Sequence, residues 1–407
     1  MKFTRKLMAL LTALTLVLGM ASTALATDVV ELEYVIHKSE AAAIDGMQAV
    51  IDQFNAENPG IHVTLTPTPD FATVIQTRAQ TNDMPDLFSC TTNTMYEIMF
   101  EDGLIMDLSG QPFLDNIEPS TLALSQYQGK NWRLPYSLSC YGLYIRTDIF
   151  EEQGIAWPTT WDELMAVCEK LTAAGITPFA LPDKTMVYQR MERMMGIIAP
   201  TDDEFKAIAA GTLQPKDSKV LTAYANASIQ LAKNMTPESL GAEYTESYQA
   251  LLAGEAAMTI NGQWSLTTLK TYDPAVKVAL IPLPNPTGEA TNVAVSIDTS
   301  FCISSSTKHP QECLAFLSFL SQTDVAQKYT DMEASPNVVK GVKYNVPELE
   351  KISEKMNNGE IFISLNAVWP SGLRKDLGDA ATNLVIDCDV DAFLDDAASI
   401  IAEYYKQ

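Results

Sequence analysis

The amino-acid sequence predicts an α/β fold, in which strands and helices alternate along the chain. Residues 30–36 alternate polar and apolar side chains, as expected of a strand with one buried face. Apolar residues then recur at helical spacing over 44–54, and residues 58–60 (Asn-Pro-Gly) end that helix. A second alternating strand occupies residues 61–65. Because this connection is too long for a hairpin, we expect parallel strands with a crossover helix.

The same alternation continues through the rest of the chain, which favours α/β layers over an all-helical or all-β architecture. Ser39 is placed to cap the first helix. Thr160 and Glu163 have the spacing of a capping box, so a helix is expected from there to Gly175. The other predicted elements are strands at 85–89, 276–280 and 301–303, and helices at 96–100, 310–321 and 390–405.

The amino terminus has the pattern of a secretory signal peptide. Basic residues within 2–6 precede an apolar run over 7–20, and Ala24-Leu25-Ala26 offers the small-x-small cleavage site. We therefore expect residues 1–26 to be removed and the mature chain to begin near Thr27. Residues 21–23 contain no cysteine for a lipid anchor, and no later apolar segment is long enough to cross a bilayer. An exported protein, periplasmic or extracellular, is expected.

Composition limits the classes of partner. The chain has 407 residues, 27 of them basic and 51 acidic, for a net charge of −24. The predicted leader contains basic residues but no acidic ones, so its removal makes the net charge of the mature chain more negative. This charge disfavours nucleic acids and anionic membrane surfaces. The remaining length is enough for two sizeable cores.

No recognised catalytic or metal-binding motif is present in the sequence. The three histidines are far apart, and His309-x-x-Glu312 alone is a weak metal signal. We expect no metal, no cofactor and no catalytic residue, although paired carboxylates of a glycoside hydrolase have no fixed spacing and stay an alternative. The six cysteines show no close spacing, and we expect all six to be unpaired.

Five segments, in order, resemble the family of extracellular solute-binding proteins of carbohydrate ABC transporters, which includes the maltodextrin-binding protein. The most specific block runs from Gly129 to Leu171, with Lys-Asn-Trp-Arg-Leu-Pro-Tyr, Gly-Leu-Tyr-Ile-Arg-Thr-Asp and Pro-Thr-Thr-Trp-Asp-Glu-Leu. The others lie at 54–63, 83–88, 252–264 and 315–320. One departure is Ile145-Arg146, where the family usually has Tyr-Asn.

The resemblance implies a two-lobed periplasmic-binding-protein fold of type II, with hinged lobes and a central ligand cleft. The implied N-terminal lobe comprises residues 27–137 and 285–335, and the C-terminal lobe residues 138–284 and 336–407. Crossings between the lobes are implied near 136–140, 283–286 and 335–338.

Carbohydrate sites need aromatic faces for stacking, and carboxylates or amides for hydroxyl groups. By resemblance, Trp264 is expected to face the cleft, although it could be an ordinary core tryptophan. Trp369 in Val-Trp-Pro-Ser resembles a second stacking position. Arg374 is a weaker candidate, since it could be a surface charge at the start of a helix.

Candidates on the first lobe follow predicted strands, where open α/β sheets bind ligands. Ser39 and Glu40 follow the first strand, and Glu40 could equally be an acid stabilised by a helix dipole. Asp70 and Asn93 lie in comparable loops and could be merely solvated. Three further candidates lie at or near the crossings: Tyr136, Ser137 and Asp298.

The leading hypothesis is a monomeric protein that captures a mono- or oligosaccharide without changing it and delivers it to the permease subunits of an ABC transporter. The alternatives are an exported glycoside hydrolase, a sensor module, or a same-fold binding protein for a polyamine or phosphorylated glycerol. The sequence has only seven arginines, which disfavours a phosphate ligand.

Overall fold

The computed structural model describes residues 29–68, 70–91, 94–365, 369–370 and 372–406. The predicted leader and its cleavage site lie outside these residues. Within the described part of the chain, no helix combines the length and apolar character needed to cross a membrane.

Nine strands in the described part of the chain form one mixed sheet. They are β1 (Val30–Ile36), β2 (Ile61–Pro67), β3 (Leu87–Cys90), β4 (Leu134–Arg146), β5 (Thr177–Phe179), β6 (Ala256–Gly262), β7 (Val278–Ile281), β8 (Val293–Ile303) and β9 (Ile361–Ile363). The order is β2-β1-β3-β8-β4-β6-β5, with β7 paired to β4 and β9 to β8. The predicted parallel pairing of the first two strands is confirmed, with Val30 opposite Ile61.

Sixteen α-helices surround this sheet in the described residues. They are α1 (Ala41–Glu57), α2 (Phe71–Gln80), α3 (Thr94–Glu101), α4 (Pro119–Ser125), α5 (Thr147–Glu152), α6 (Trp161–Ala173), α7 (Asp183–Ile198), α8 (Asp203–Ala209), α9 (Lys219–Ala232), α10 (Tyr244–Leu252), α11 (Ser265–Tyr272), α12 (Pro310–Leu320), α13 (Thr323–Glu333), α14 (Glu350–Asn357), α15 (Leu373–Asp387) and α16 (Val390–Tyr404).

Local sequence signals predicted the helix ends unevenly. The capping box before α6 is confirmed, with reciprocal hydrogen bonds between Thr160 and Glu163. The prediction that Ser39 caps α1 is wrong. Glu40 occupies that position, and its side chain makes no capping hydrogen bond, because the segment after β1 turns its residues toward a cavity instead.

The strand predicted at 301–303 is only the end of a longer one. β8 begins at Val293, and its first residues pair in parallel with β9, where Val293 lies opposite Ile361. Period-2 alternation is weak in β8 because nearly all of its residues are buried on both faces.

Two large apolar cores lie at the two ends of the sheet. The N-terminal core contains side chains from β1, α1, α12 and α13, such as Tyr34, Phe54 and Phe316. The C-terminal core contains side chains from α6, α7, α9, α15 and α16 around the second half of β4, such as Leu143. The first half of β4, with Tyr136, packs in the N-terminal core, so this strand contributes to both.

The chain passes between these cores along hydrogen-bonded segments. The Leu138 amide donates to the Pro336 carbonyl, and the Val338 amide donates to the Tyr136 carbonyl, which agrees in position with two of the implied crossings. The third passage occurs within β8, further along the chain than residues 283–286. The reason is that the side-chain amide of Asn285 donates to the Ile197 carbonyl, which holds residues 283–286 against the C-terminal core.

Candidate functional site

A cavity of about 280 Å³ lies where the two cores face each other. Its residues come from the ends of β1 and β3, from β4 and β8, and from helices that pack on the C-terminal core. They are His37, Lys38, Ser39, Glu40, Thr91, Ser139, Gln189, Arg193, Tyr244, Trp264, Ser296, Ile297, Asp298 and Arg374. We call the N-terminal-core side (37–40, 91, 298) the first wall and the C-terminal-core side (189, 193, 244, 264, 374) the second wall.

The first wall is organised by a buried lysine. The side chain of Lys38 is only 6% exposed, and its Nζ forms ion pairs with the Asp298 carboxylate and with Glu333 Oε1, the latter at 2.9 Å. Burial alone would lower the pKa of Lys38, but the two carboxylates outweigh it and raise that pKa above its usual range. Burial raises the pKa of Glu333 despite this attraction. The charges of Lys38, Asp298 and Glu333 are therefore paired with one another.

His37 adds a neutral imidazole to this wall. Its Nε2 lies 4.0 Å from Asp298 Oδ1, and its buried Nδ1 has no hydrogen-bond partner among the residues that the structure describes. Burial, and then the charge of Lys38, lowers the pKa of His37 to about 4, so the ring is uncharged at neutral pH. A neutral imidazole can accept or donate a hydrogen bond, depending on its tautomer. This ring is suited to a hydroxyl group.

Trp264 provides the aromatic surface of the second wall. It directly precedes α11, is half-buried, and packs on Tyr141 with ring centroids 6.5 Å apart. A Cβ atom added at Gly262 would lie 1.9 Å from the indole ring, so this ring position requires glycine there. Gln263 fixes the backbone between them by accepting from the Cys140 amide and donating to Ser335 Oγ.

Two arginines complete the second wall, and both are held by aromatic and acidic neighbours. The Arg193 guanidinium lies 4.7 Å from the ring centre of Tyr141, and Arg374 lies 4.7 Å from that of Tyr188. Arg374 Nε is 2.9 Å from Oε2 of the buried Glu192, and Arg193 Nη1 is 3.9 Å from the same oxygen. Burial lowers the pKa of Arg374 while Glu192 opposes that shift.

Half of the predicted site residues meet at this cavity. Ser39, Glu40, Trp264, Asp298 and Arg374 all line it. Asn93 lies outside the described residues. Whether any of these side chains contacts a ligand remains a prediction.

Four predicted residues lie elsewhere. Tyr136 is fully buried against Phe301 and Tyr329, and Ser137 is buried beside it, because this part of β4 belongs to the N-terminal core. Trp369 is 2% exposed and stacks on Phe205 with centroids 5.4 Å apart, so the C-terminal core encloses it.

Asp70 is the fourth of these residues. It is exposed before α2, makes no capping hydrogen bond, and is not among the cavity residues. Its position fits the alternative of a solvated loop residue.

The sequence argument missed several cavity residues. Gln189 and Arg193 are four residues apart on α7, a spacing that places them on one helix face. That pairing is a usable signal, but α7 itself was not predicted. Tyr244, Ser139 and Ser296 carry no local signal, because only the tertiary packing brings them to the cavity. In the described residues, no group of three or more His, Cys, Asp or Glu side chains is arranged to hold a metal ion.

Comparison with known proteins gives consistent matches. The family described as bacterial extracellular solute-binding protein matches residues 38–327. The multiple sugar-binding protein of Streptococcus mutans is 27% identical over 370 residues, covering 88% of this chain and 87% of that protein. The melibiose/raffinose/stachyose-binding protein MelE of Bacillus subtilis is 26% identical over 251 residues, covering 59% of this chain and 58% of that protein.

A solved structure confirms the fold. The solute-binding protein RafE in complex with raffinose superposes with a TM-score of 0.83 at 23% identity, covering 93% of this chain and 100% of that chain. The predicted two-lobed α/β fold of solute-binding proteins is therefore confirmed.

Proposed function

Since the chain belongs to the family of bacterial extracellular solute-binding proteins, we propose that it binds an uncharged mono- or oligosaccharide in the cavity between its two cores. The family and the similar proteins are binding proteins of transporters and not enzymes, so the proposed event is capture without chemical change. The name of the relative from Bacillus subtilis and the raffinose complex of RafE make melibiose, raffinose and stachyose the first ligands to test.

One observation carries this proposal: the half-buried indole of Trp264 faces a wall of hydroxyl, imidazole and carboxylate groups across one cavity. An apolar ring face of a sugar can stack on the indole while its hydroxyl groups reach His37, Ser39 and Glu40. Both kinds of contact are needed at once, and the cavity supplies them on opposite walls.

The charge pairing favours an uncharged ligand. Of the two carboxylates that line the cavity, Asp298 is paired with Lys38, which leaves Glu40 as a single acid for a cation. Arg374 is paired with Glu192 and stacked on Tyr188. A polyamine that used Asp298, or a phosphate ester that used Arg374, would have to compete with these existing ion pairs.

The transport role rests on the same family. We infer that the exported protein loses residues 1–26, acts as a monomer, closes its lobes around the sugar, and presents the closed form to the permease subunits of an ABC transporter. The proposed lobes are those implied by the resemblance, 27–137 with 285–335 and 138–284 with 336–407. The segment from residue 285 to the start of β8 is the one exception, and it is assigned to the C-terminal lobe because Asn285 donates to the Ile197 carbonyl. A sensor module would instead present the same closed form to a receptor.

A thermal-shift screen tests the sugar. The mature protein is melted alone and with raffinose, stachyose, melibiose, maltotriose, glucose, spermidine and glycerol 3-phosphate. A ligand that binds only the folded form stabilises it by about 2.7 kcal/mol at a hundredfold excess over its dissociation constant. We expect a neutral sugar to raise the melting temperature and the two charged compounds to have no effect.

Paired tryptophan variants locate the site. Trp264→Ala should abolish the sugar-induced shift, since a buried aromatic anchor contributes about 2 kcal/mol or more to binding. Trp157→Ala is the matched control, because Trp157 is 41% exposed and lies outside the cavity. Equal loss in both variants, or a shift with spermidine alone, would contradict the proposal.

A further inference from the structure

Two cysteines lie side by side beneath the first wall. Cys90 ends β3 and Cys302 lies near the end of β8, and both are fully buried. The two strands pair antiparallel, with Phe88 opposite Cys302 and Cys90 opposite Ser300. The cysteines are thus diagonal neighbours on one face of the sheet, within reach of each other.

Their sulfur atoms are too close for two independent thiols. Cys90 Sγ lies 2.6 Å from Cys302 Sγ. This is well inside the ~3.5 Å at which even carbon atoms are in optimal contact, and only slightly beyond the roughly 2.05 Å of a disulfide bond. A side-chain adjustment of about half an ångström would bring the sulfurs to bonding distance, with no change in strand register.

From this geometry we propose that Cys90 and Cys302 are a disulfide-forming pair, oxidised when the protein is exported. The other four cysteines are expected to stay as thiols. This inference replaces the expectation from the sequence that all six are unpaired, and it does not depend on the identity of the ligand. It depends on export, because disulfides persist in oxidising compartments.

The oxidation needs an external electron acceptor, for which we name a disulfide-containing oxidant such as oxidised glutathione or an exported thiol–disulfide oxidoreductase. One thiolate of the pair attacks a sulfur of the oxidant, forms a mixed disulfide and displaces one oxidant thiolate. The second cysteine then attacks the protein sulfur and displaces the other oxidant thiolate. The protein loses two electrons and two protons, and the oxidant is reduced to two thiols.

In the folded chain, neighbouring groups lower the pKa of the Cys90 thiol. Burial raises the pKa of Cys90, but the hydrogen bond with Cys302 and the positive charge of Arg133 outweigh it and leave that pKa below its usual range. Arg133 also donates to the Thr91 carbonyl at 2.9 Å, so it is fixed beside the pair. Both sulfurs are inaccessible in the folded chain, so exchange is expected during folding and not afterwards.

The cross-link would also brace the cavity. Thr91, which lines the first wall, directly follows Cys90, and the Ser300 hydroxyl donates to the Cys90 carbonyl at 2.6 Å. Asp298 lies two residues before Ser300 on β8. A bond from β3 to β8 at this point holds the two strand ends that carry the first wall.

Thiol counting tests the proposal on the full mature chain. The protein is isolated from the export compartment, and a second sample is refolded from the reduced, unfolded state with oxidised glutathione. Thiols are titrated in denaturant before and after reduction. The proposal predicts four thiols before reduction and six after, with a proteolytic fragment in which the peptides of Cys90 and Cys302 are joined.

Cysteine variants separate this pair from the others. Cys140→Ser should lower both counts by one and keep the joined fragment. Cys90→Ser should give five thiols before and after reduction and no joined fragment. Six free thiols in both wild-type preparations, or a joined fragment from any other pair, would overturn the proposal. The thiol count of the wild type stands even where a variant fails to fold.

Discussion

On the first wall of the cavity a lysine that is 6% exposed is enclosed by two carboxylates, whereas on the second wall an arginine that is 28% exposed pairs with one. Lys38 points its charge into the protein, toward Asp298 and Glu333. Arg374 lies against Tyr188 and stays partly accessible. The first wall therefore derives its shape from buried charge, and the second from aromatic packing.

This difference distinguishes the residues that maintain the shape of the cavity from the residues that can contact a ligand. Buried ion pairs are costly to break, so the first wall is expected to stay fixed when a sugar binds. The aromatic wall carries no such constraint, and Trp264 owes its position to the absence of a side chain at Gly262. Substitutions on the two walls should accordingly affect stability and affinity differently.

Lys38→Met should give the largest effect, a loss of about 3–5 kcal/mol in the free energy of unfolding at pH 7, because two carboxylates lose their buried partner. Burial already raises the pKa of Glu333. A carboxyl group whose folded pKa is raised destabilises the protein more as the pH rises above its unfolded pKa, so the deficit should be smaller at pH 5 than at pH 8. Urea denaturation at both pH values measures this.

The control for that substitution is Lys351→Met, which removes an exposed lysine paired with Glu354. No measurable change in stability is expected, since exposed pairs contribute little. A Lys38→Met variant as stable as this control would show that the buried charges do not organise the first wall.

Gly262→Ala should act mainly on affinity. The added methyl group overlaps the Trp264 ring, so the indole must move, and the affinity for a sugar that binds the wild type should fall about 30-fold, or about 2 kcal/mol. Calorimetric titration measures the affinity. Gly60→Ala is the matched control, because no atom lies within 4 Å of its added Cβ. Unchanged affinity in Gly262→Ala would exclude Trp264 from the ligand contact.

Arg374→Gln should cost less stability than Lys38→Met, about 1–2 kcal/mol, because Glu192 keeps its contacts with Arg193 and Ser364. Lys375→Gln, at the adjacent and 76% exposed position, should leave the unfolding free energy unchanged. Urea denaturation compares the three proteins. A loss as large as that of Lys38→Met would mean that the second wall is also built on buried charge.

At pH 7, His37→Gln should have the smallest effect on stability, because its contribution is visible only in the pH dependence. Burial lowers the folded pKa of His37 to about 4, below its unfolded value of about 6.5. The stability it contributes is full above pH 6.5 and is lost as the pH falls toward 4. Between pH 7 and 5 the wild type should therefore lose about 2 kcal/mol more than the variant.

Denaturation midpoints at pH 7 and 5 measure this difference. His62→Gln is the control, because His62 is half exposed on the edge strand β2 and pairs with Glu31. Parallel pH profiles for wild type and His37→Gln would contradict the assigned burial.

The sequence predicted the fold well because its signals are local. Alternation in β1, the helical spacing of α1 and the capping box of α6 each depend on a few neighbouring residues. Residues that line the cavity were predicted only where a candidate follows a strand or belongs to a family motif, as Glu40 and Trp264 do. Trp369 was misplaced because the same motif leaves open whether the ring faces a cleft or the core, and packing on Phe205 decides that.

Other site features depend on contacts between distant segments. The ion pair between Lys38 and Asp298 joins residues 260 positions apart, and no local sequence pattern predicts this pairing. The same holds for Cys90 and Cys302, which are 212 positions apart and meet only because β3 and β8 are neighbours in the sheet.

The two strands that join the cores restrict how the protein can flex. β4 and β8 are hydrogen-bonded to each other from Leu134 to Tyr141, with register irregularities on either side of Ser137. The 336–338 segment is hydrogen-bonded along β4 at the same place. Such a narrow ribbon can twist about its long axis without separating its strands, whereas shearing it would break the hydrogen bonds between them. Any relative movement of the two cores should therefore be mainly a twist about the axis of this ribbon at Ser137, and less a hinge opening.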